Sequence, residues 1–202
     1  PSPDTFMKVF NEAVAAGDDV LGIFISSDLS GTYQSACLAA LDVDEETGKK
    51  LYMVDSRSAS IGTALLIREA VKLRDAGVNV SDIAAACTEM SKYIKLTAVV
   101  GSLKYLKMGG RLSGAAAFAG TMLHITPVVS IEDGKVVVIG KTRGKKAAEK
   151  LMHDKLTKDG LSLTRDFMFG HINCSESLET FINKSLTYIS DVNGNVCVSS
   201  IG

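Results

Sequence analysis

The stretch "VLGIFISSDLSGTYQSA", residues 20–36, joins three elements that decide the fold class. The run "VLGIFI" (Val20–Ile25) is typical of a buried β-strand. It ends abruptly in a loop of small hydroxyl residues around a glycine, and a helix is expected to begin at Thr32 or Tyr33. The sequence therefore predicts a strand, a polar loop and a helix in immediate succession.

The same alternation continues through the first hundred residues. Apolar strands are expected at "LYMV" (Leu51–Val54) and "LTAVVG" (96–101), with amphipathic helices between them. Helices are predicted to stop near Gly17 and Gly77, and Ser81 is the expected N-cap of a further helix. Continuous apolar strands that alternate with helices indicate a parallel sheet covered on both faces.

The pattern changes after Met108. A helix of small residues (Ser113–Leu123) leads to "TPVVSI" and "KVVVIG", two β-runs joined by the turn residues Asp133 and Gly134. A basic helix from Gly144 follows, and then the strand "DFMFGHI", the helix "SLETFINKSLTYI" and the strand "VCVSSI". A mixed sheet with helices is the prediction for this half.

We therefore expect an α/β chain of two domains, residues 1–108 with a parallel sheet and residues 109–202 with a mixed sheet. The 46% hydrophobic and 22% charged content is typical of globular proteins, and a net charge of −1 gives no overall attraction for nucleic acid or an anionic membrane. The four cysteines are far apart and form no Cys-x-x-Cys pair. This usage indicates reduced thiols in a cytoplasmic protein, without a metal site.

One uncharged run, from Leu112 to Ile131, has the length of a membrane span. Small and polar residues interrupt it, among them Gly114, His124 and Pro127. We expect a buried helix followed by a buried strand, and no membrane insertion.

The polar loop has two interpretations from the residues alone. In the first, Ser30 or Thr32 simply caps the following helix. In the second, the hydroxyls and the N–H groups of the helix N-terminus bind a carboxylate or a phosphate, with Gly31 permitting close approach. Walker, Gly-x-Gly-x-x-Gly and Gly-x-Ser-x-Gly motifs are missing from the sequence, although Asp55 stands where a ribose-binding acid would lie.

Two basic clusters also have two interpretations. One contains Lys104, Lys107 and Arg111, and the other follows the hairpin. The second cluster comprises Lys141, Arg143, Lys145 and Lys146. Either cluster is a solvated surface or the binding surface for a phosphate or an acidic partner. Of the histidines, His153 is expected at the surface of a basic helix, whereas His171, at the end of a strand, either faces a cleft or lies in ordinary packing, which is the favoured interpretation.

Four ordered blocks of sequence resemble the DegV family of bacterial fatty-acid-binding proteins. They are "SSDLSGTYQSA", "VDSRSASIGTALLIREAVKL", "GGRLSGAAAFAGTMLHITPVVSIEDGKV" and "KTRGKKAAEKL". The resemblance implies a two-domain α/β protein that buries one long-chain fatty acid between its domains. Family members of the FakB type present the acyl carboxylate to a dihydroxyacetone-kinase-like fatty acid kinase, which makes acyl phosphate for phospholipid synthesis.

The resemblance also implies residue roles. Ser30 matches the serine that hydrogen-bonds the carboxylate, with Gly31 and Thr32 in the adjoining loop. Arg111 and Arg143 match arginines associated with the head group and with the kinase. The family's carboxylate-binding threonine and its C-terminal histidine would lie outside residues 1–202, so the resemblance implies a chain without the family's terminal segments. No catalysis and no metal or other cofactor is expected of the chain itself.

Two other functions stay open. One is a nucleotide-binding α/β enzyme that uses the polar loop for phosphate and Asp55 for ribose. The other is a lipid-sensing regulator without a kinase partner, which the residues do not distinguish from the first hypothesis.

Overall fold

A computed structural model of the protein describes residues 1–112, 125–160, 165–188 and 196–200. The chain divides into two compact units, Pro1–Ile94 and Lys95–Gly202. The predicted helix of small residues and His124 lie outside the described residues, as does most of the uncharged run.

The first unit alternates helices with two short parallel strands. Its elements are α1 (Pro3–Ala15), β1 (Leu21–Phe24), α2 (Thr32–Thr47), β2 (Tyr52–Asp55), α3 (Ile61–Asp75) and α4 (Val80–Met90). The register places Leu21 opposite Tyr52 and Phe24 opposite Asp55. Both strands therefore deliver their carboxyl ends to the same edge of the sheet.

Each face of this sheet carries its own core. On one face Phe24 and Met53 pack against α1 and α2, around the fully buried Ala36, Ala39 and Val43. On the other face the strands pack against α3 and α4. The residues on that face include Leu21, Ile23, Tyr52, Val54, Leu66, Ile83 and Cys87. Successive strand residues point to opposite faces, so apolar residues at every position require helices on both sides. The predicted two-faced parallel sheet is confirmed.

The start of α4 differs from the prediction. Its N-cap is Asn79, whose side-chain oxygen accepts the Asp82 N–H at 3.0 Å. Ser81 lies within the helix instead, and its hydroxyl donates to the Asn79 side chain at 2.6 Å. Asn and Ser cap helices about equally well, and here the residue further upstream takes the position.

The second unit contains an antiparallel sheet and a parallel pair of strands. Its described elements are β3 (Leu96–Val99), α5 (Lys104–Met108), β4 (Thr126–Glu132), β5 (Lys135–Thr142), α6 (Lys145–Asp159), β6 (Phe167–His171), α7 (Ser175–Tyr188) and β7 (Val196–Ser200). The antiparallel sheet has the order β3-β4-β5, whereas β6 and β7 pair in parallel. Helix α6 packs against the antiparallel sheet and α7 against β6. The predicted mixed sheet arrangement is confirmed.

The strand β3 is not part of the parallel sheet, contrary to the sequence analysis. It pairs antiparallel with β4, with Leu96 opposite Ile131 and Val99 opposite Val128. A continuous apolar run indicates a buried strand but does not specify the direction of its neighbour, which explains the error. This pairing agrees with the division of the chain between Ile94 and Lys95. The expected domain boundary after residue 108 stays a prediction.

The hairpin between β4 and β5 has the predicted turn. Asp133 and Gly134 both have positive φ angles, 47° and 80°, and Glu132 lies opposite Lys135. A two-residue turn with left-handed residues at both positions matches the twist of the flanking strands.

Among the described residues, no helix combines sufficient length with sufficient apolar character to cross a bilayer.

Candidate functional site

The residues Ser30, Gly31 and Thr32 lie where β1 gives way to α2. The helix begins at Thr32, as predicted, but its N-cap is Gly31, which provides no side-chain hydrogen bond. The Ser30 and Thr32 hydroxyls are 2.8 Å apart, and the Ser30 Oγ accepts the Thr32 N–H at 3.3 Å. The simple interpretation with Ser30 or Thr32 as the N-cap is therefore wrong.

The start of α2 has the features of an anion-binding position. The N–H groups of a first helical turn have no partner within the helix, and they carry partial positive charge. No acidic residue occupies the first turn of α2 to neutralise that charge. Two hydroxyl groups, Ser30 and Thr32, lie beside it and are partly exposed. A carboxylate or phosphate at this position would find several converging donors.

Hydrogen bonds within the loop 26–30, which we call the serine loop, fix its shape. Ser26 is fully buried, and its carbonyl accepts the N–H groups of Leu29 at 2.9 Å and Ser30 at 3.1 Å. Its Oγ accepts the Asp28 N–H at 3.3 Å. The backbone near Ser30 is thus held in place before any ligand is considered.

A second polar loop, residues 56–60, follows β2 and contacts the serine loop. The Ser26 N–H donates to the Ser58 carbonyl at 2.8 Å. The Asp55 carboxylate accepts the Ser27 N–H at 3.3 Å and the Arg57 N–H at 2.8 Å. The two loops are joined because their strands are parallel neighbours.

The link between these two loops was not predicted from the sequence. A usable signal was present, because each loop directly follows a strand of the same predicted parallel sheet. Carboxyl ends of such strands meet at one edge, where ligands of open α/β sheets bind. Asp55 was considered as a ribose-binding acid, but its carboxylate instead accepts one backbone N–H group from each loop. This arrangement gives no support to a ribose-binding role.

Tyr33 is the second residue of α2, and its hydroxyl is influenced by the charge of Asp55. Burial, a hydrogen bond with Cys37 and the nearby Asp55 charge raise the pKa of Tyr33 to about 12. The Tyr33 hydroxyl is therefore protonated at physiological pH and retains its proton for hydrogen bonding.

The two arginines assigned to the head group both lie in the second unit. Arg111 is exposed, follows α5 and donates to the Gly109 carbonyl. Arg143 is exposed in the turn between β5 and α6. Lys104 and Lys107 are exposed on α5, so the first basic cluster lies at the surface. The roles of both arginines stay predictions.

Of the two described histidines, His153 differs from the expectation, and His171 has the cleft position that was the less favoured of its two interpretations. His153 is half-buried rather than exposed, and its ring packs edge-on against Phe181 at 5.0 Å. His171 borders a cavity of about 360 Å³ formed with α7 and Val198 of β7. Within the described ranges, no three His, Cys, Asp or Glu side chains come together as metal ligands.

Comparison with known proteins identifies the family. The family model described as "Uncharacterised protein, DegV family" matches residues 1–201. A DegV domain-containing protein of Clostridium acetobutylicum is 34% identical over 194 residues, which is 91% of this chain and 67% of that protein. The chain belongs to the DegV family. It spans from 50% to 67% of the length of the curated DegV relatives compared with it.

Solved DegV structures share the fold. A DegV protein from Thermus thermophilus, described as fatty-acid binding, superposes with a TM-score of 0.81 at 30% identity, covering 99% of this chain and 70% of that one. The Streptococcus pneumoniae fatty acid kinase B3 protein, loaded with linoleic acid, gives a TM-score of 0.83 at 24% identity. That match covers 99% of this DegV chain and 69% of the other. The two-domain α/β DegV fold is therefore the fold of this protein.

Proposed function

We propose that this DegV protein binds a long-chain fatty acid and holds its carboxylate at the start of α2. The observation that carries the proposal is the pair of hydroxyls, Ser30 and Thr32, 2.8 Å apart at a helix N-terminus without acidic residues. Support also comes from the Thermus thermophilus relative, which is described as fatty-acid binding. Ser30 donates to the carboxylate, and Gly31 and Thr32 form the rest of the cradle.

The physical requirements of this ligand match the loop. A carboxylate removed from water is costly unless several donors converge on it, and charge-assisted hydrogen bonds from hydroxyl and N–H groups meet this need. An acyl chain of palmitate length contributes roughly 14 methylenes at about 0.8 kcal/mol each, or about 11 kcal/mol of gross transfer free energy. Binding therefore requires a few donors and an apolar cavity, and no nucleophile.

We further propose that the protein presents the bound carboxylate to a fatty acid kinase. Arg111 and Arg143 are exposed cations that suit contact with the phosphoryl group or with the kinase. Support comes from the Streptococcus pneumoniae relative, a fatty acid kinase B3 protein with bound linoleic acid. In this scheme the kinase forms the acyl phosphate in the bacterial cytoplasm, and the DegV protein is a non-catalytic subunit.

The binding proposal is tested by native mass spectrometry and a titration with oleate. We expect the protein to carry one fatty acid, and Ser30→Ala to weaken oleate binding about tenfold because a donor to the carboxylate is lost. Ser35→Ala, one turn further along α2, serves as the matched control and should bind oleate as the wild type does. A wild-type protein without lipid, still empty after incubation with fatty acids, would contradict the proposal.

A further inference from the structure

The loop 56–60 contains a buried hydroxyl group, that of Ser58, to which no described residue offers a hydrogen bond. Ser58 is 2% exposed, and its Oγ has no hydrogen-bond partner within the part of the chain that the structure describes. A buried polar side chain without a partner is rare in native structures, because it has lost its hydrogen bonds to water without replacement. Its presence needs an explanation.

The neighbouring Ser56 shows how unusual this is. Ser56 is also fully buried, but its Oγ donates to the Ser58 carbonyl at 3.2 Å and lies 3.0 Å from the Thr63 hydroxyl. It also accepts the Ser58 N–H at 3.2 Å. The backbone N–H and carbonyl of Ser58 are thus both satisfied within the protein. Only its side-chain hydroxyl is left over.

The position of Ser58 connects it to the proposed carboxylate site. Its carbonyl accepts the Ser26 N–H at 2.8 Å, and the Ser26 carbonyl in turn accepts the Ser30 N–H at 3.1 Å. Two consecutive backbone hydrogen bonds therefore lead from Ser58 to Ser30. The loop that carries the unsatisfied donor is bonded directly to the loop at which an anion is proposed to bind.

We infer that the Ser58 hydroxyl donates a second side-chain hydrogen bond to the fatty-acid carboxylate, in addition to the one from Ser30. This inference rests on the proposed function. A carboxylate accepts at about four lone-pair positions on two oxygens, so donors from two different loops are accommodated together. An acyl methylene offers no acceptor and would leave the Ser58 hydroxyl unsatisfied. The carboxyl end of the ligand is therefore the part that Ser58 contacts.

If Ser58 contacts the carboxylate, the loss of affinity on removing its hydroxyl should depend on the head group of the ligand. Oleate presents a charged acceptor to Ser58, whereas oleyl alcohol has a similar chain with a neutral hydroxyl. Hydrogen bonds to charged groups are roughly twice as strong as neutral ones. Removing the Ser58 hydroxyl should therefore weaken oleate binding more than binding of the alcohol.

The experiment compares Ser58→Ala with Ser56→Ala in the same protein. In the absence of lipid, Ser58→Ala should leave the melting temperature unchanged or raise it, because no internal hydrogen bond is lost. Ser56→Ala should lower it, since three polar contacts of Ser56 are removed. Ser58→Ala should then weaken oleate binding about tenfold and binding of oleyl alcohol about threefold or less. Ser58→Cys, with a weak donor of similar size, should also weaken oleate binding.

Each result decides a separate point. If the wild type binds no oleate, the proposed function fails and this inference fails with it. If the wild type binds oleate and Ser30→Ala weakens it while Ser58→Ala does not, only the role of Ser58 is overturned. Equal losses of lipid-free stability in Ser58→Ala and Ser56→Ala would also overturn it, because the Ser58 hydroxyl would then have a partner within the protein, such as a buried water.

Discussion

At the scale of single residues, Asp55 holds the two polar loops together. Its carboxylate accepts N–H groups from Ser27 and from Arg57, which lie on different loops. Arg57 has a positive φ of 50°, a conformation that costs free energy in a residue other than glycine. The Arg57 N–H bond to Asp55 helps to stabilise that conformation.

Replacing Asp55 should therefore affect both loops. We expect Asp55→Ala to lower the free energy of unfolding by about 2 kcal/mol, because two backbone N–H groups lose their acceptor. Urea denaturation measures this change, and Asp42→Ala at an exposed position of α2 is the matched control. Equal stabilities of the two variants would mean that Asp55 does not join the loops.

Residue roles were harder to predict from sequence than residue types. The hydroxyl-rich start of α2 was evident, because Ser30, Gly31 and Thr32 are adjacent in the chain. The proposed role of Ser58 was not evident, because it depends on the backbone hydrogen bond with Ser26, 32 positions away, which only the sheet creates. The cap at Asn79 was missed for a different reason: two good capping residues compete within three positions.

At the scale of elements, periodicity predicted nearly every described helix and strand. Apolar runs located β1, β2, β4 and β5, and Asp133-Gly134 fixed the hairpin because few residues adopt two successive left-handed conformations. The pairing of β3 was not predictable from its own residues. Its antiparallel partner begins at Thr126, beyond the intervening α5 and the residues 113–124.

The contact between α6 and α7 makes the second unit sensitive to acid. Burial lowers the pKa of His153, although Glu149 and Asp154 oppose the shift and Lys184 adds to it. The Ser185 hydroxyl donates to the Phe181 carbonyl at 2.8 Å, so it accepts from His153 Nε2 at 3.2 Å. Because burial lowers the pKa of His153, the neutral imidazole with its proton on Nε2 is the form that packs between these helices near neutral pH.

This arrangement predicts the sign of a pH dependence. The unfolded chain protonates His153 near pH 6.5 while the folded protein resists protonation, so acid favours unfolding. The stabilisation is present above pH 6.5 and is lost as the pH falls towards the depressed folded pKa. Urea denaturation should therefore show the wild type losing more stability than His153→Gln between pH 7.5 and pH 5. Parallel losses in the two proteins would contradict this role of His153.

At the scale of the whole molecule, binding and presentation are expected to use different residues. The proposed carboxylate donors lie in the first unit, whereas Arg111 and Arg143 belong to the second. If the arginines contact the kinase or the phosphoryl group rather than the bound carboxylate, mutating them should impair presentation to the kinase without impairing fatty-acid binding.

Arg111→Ala and Arg143→Ala should leave oleate binding within about twofold of the wild type. Each should lower the rate of acyl-phosphate formation with a fatty acid kinase about tenfold or more, because a cation near the transferred phosphoryl group is lost. Lys158→Ala, which removes an exposed charge from the far end of α6, is the control. Unchanged kinase rates in both arginine variants would contradict their proposed role.

The parallel pairing of β1 with β2 has a practical consequence for labelling. Both polar loops leave the sheet at one edge, while the chain returns through the exposed residues 48–50 at the opposite edge. Gly48 has a left-handed φ of 69° and ends α2, so a fluorophore is better attached at Lys49. Such a probe would lie at the opposite end of the strands from Ser30, so a titration with oleate can be followed without a label beside the proposed carboxylate site.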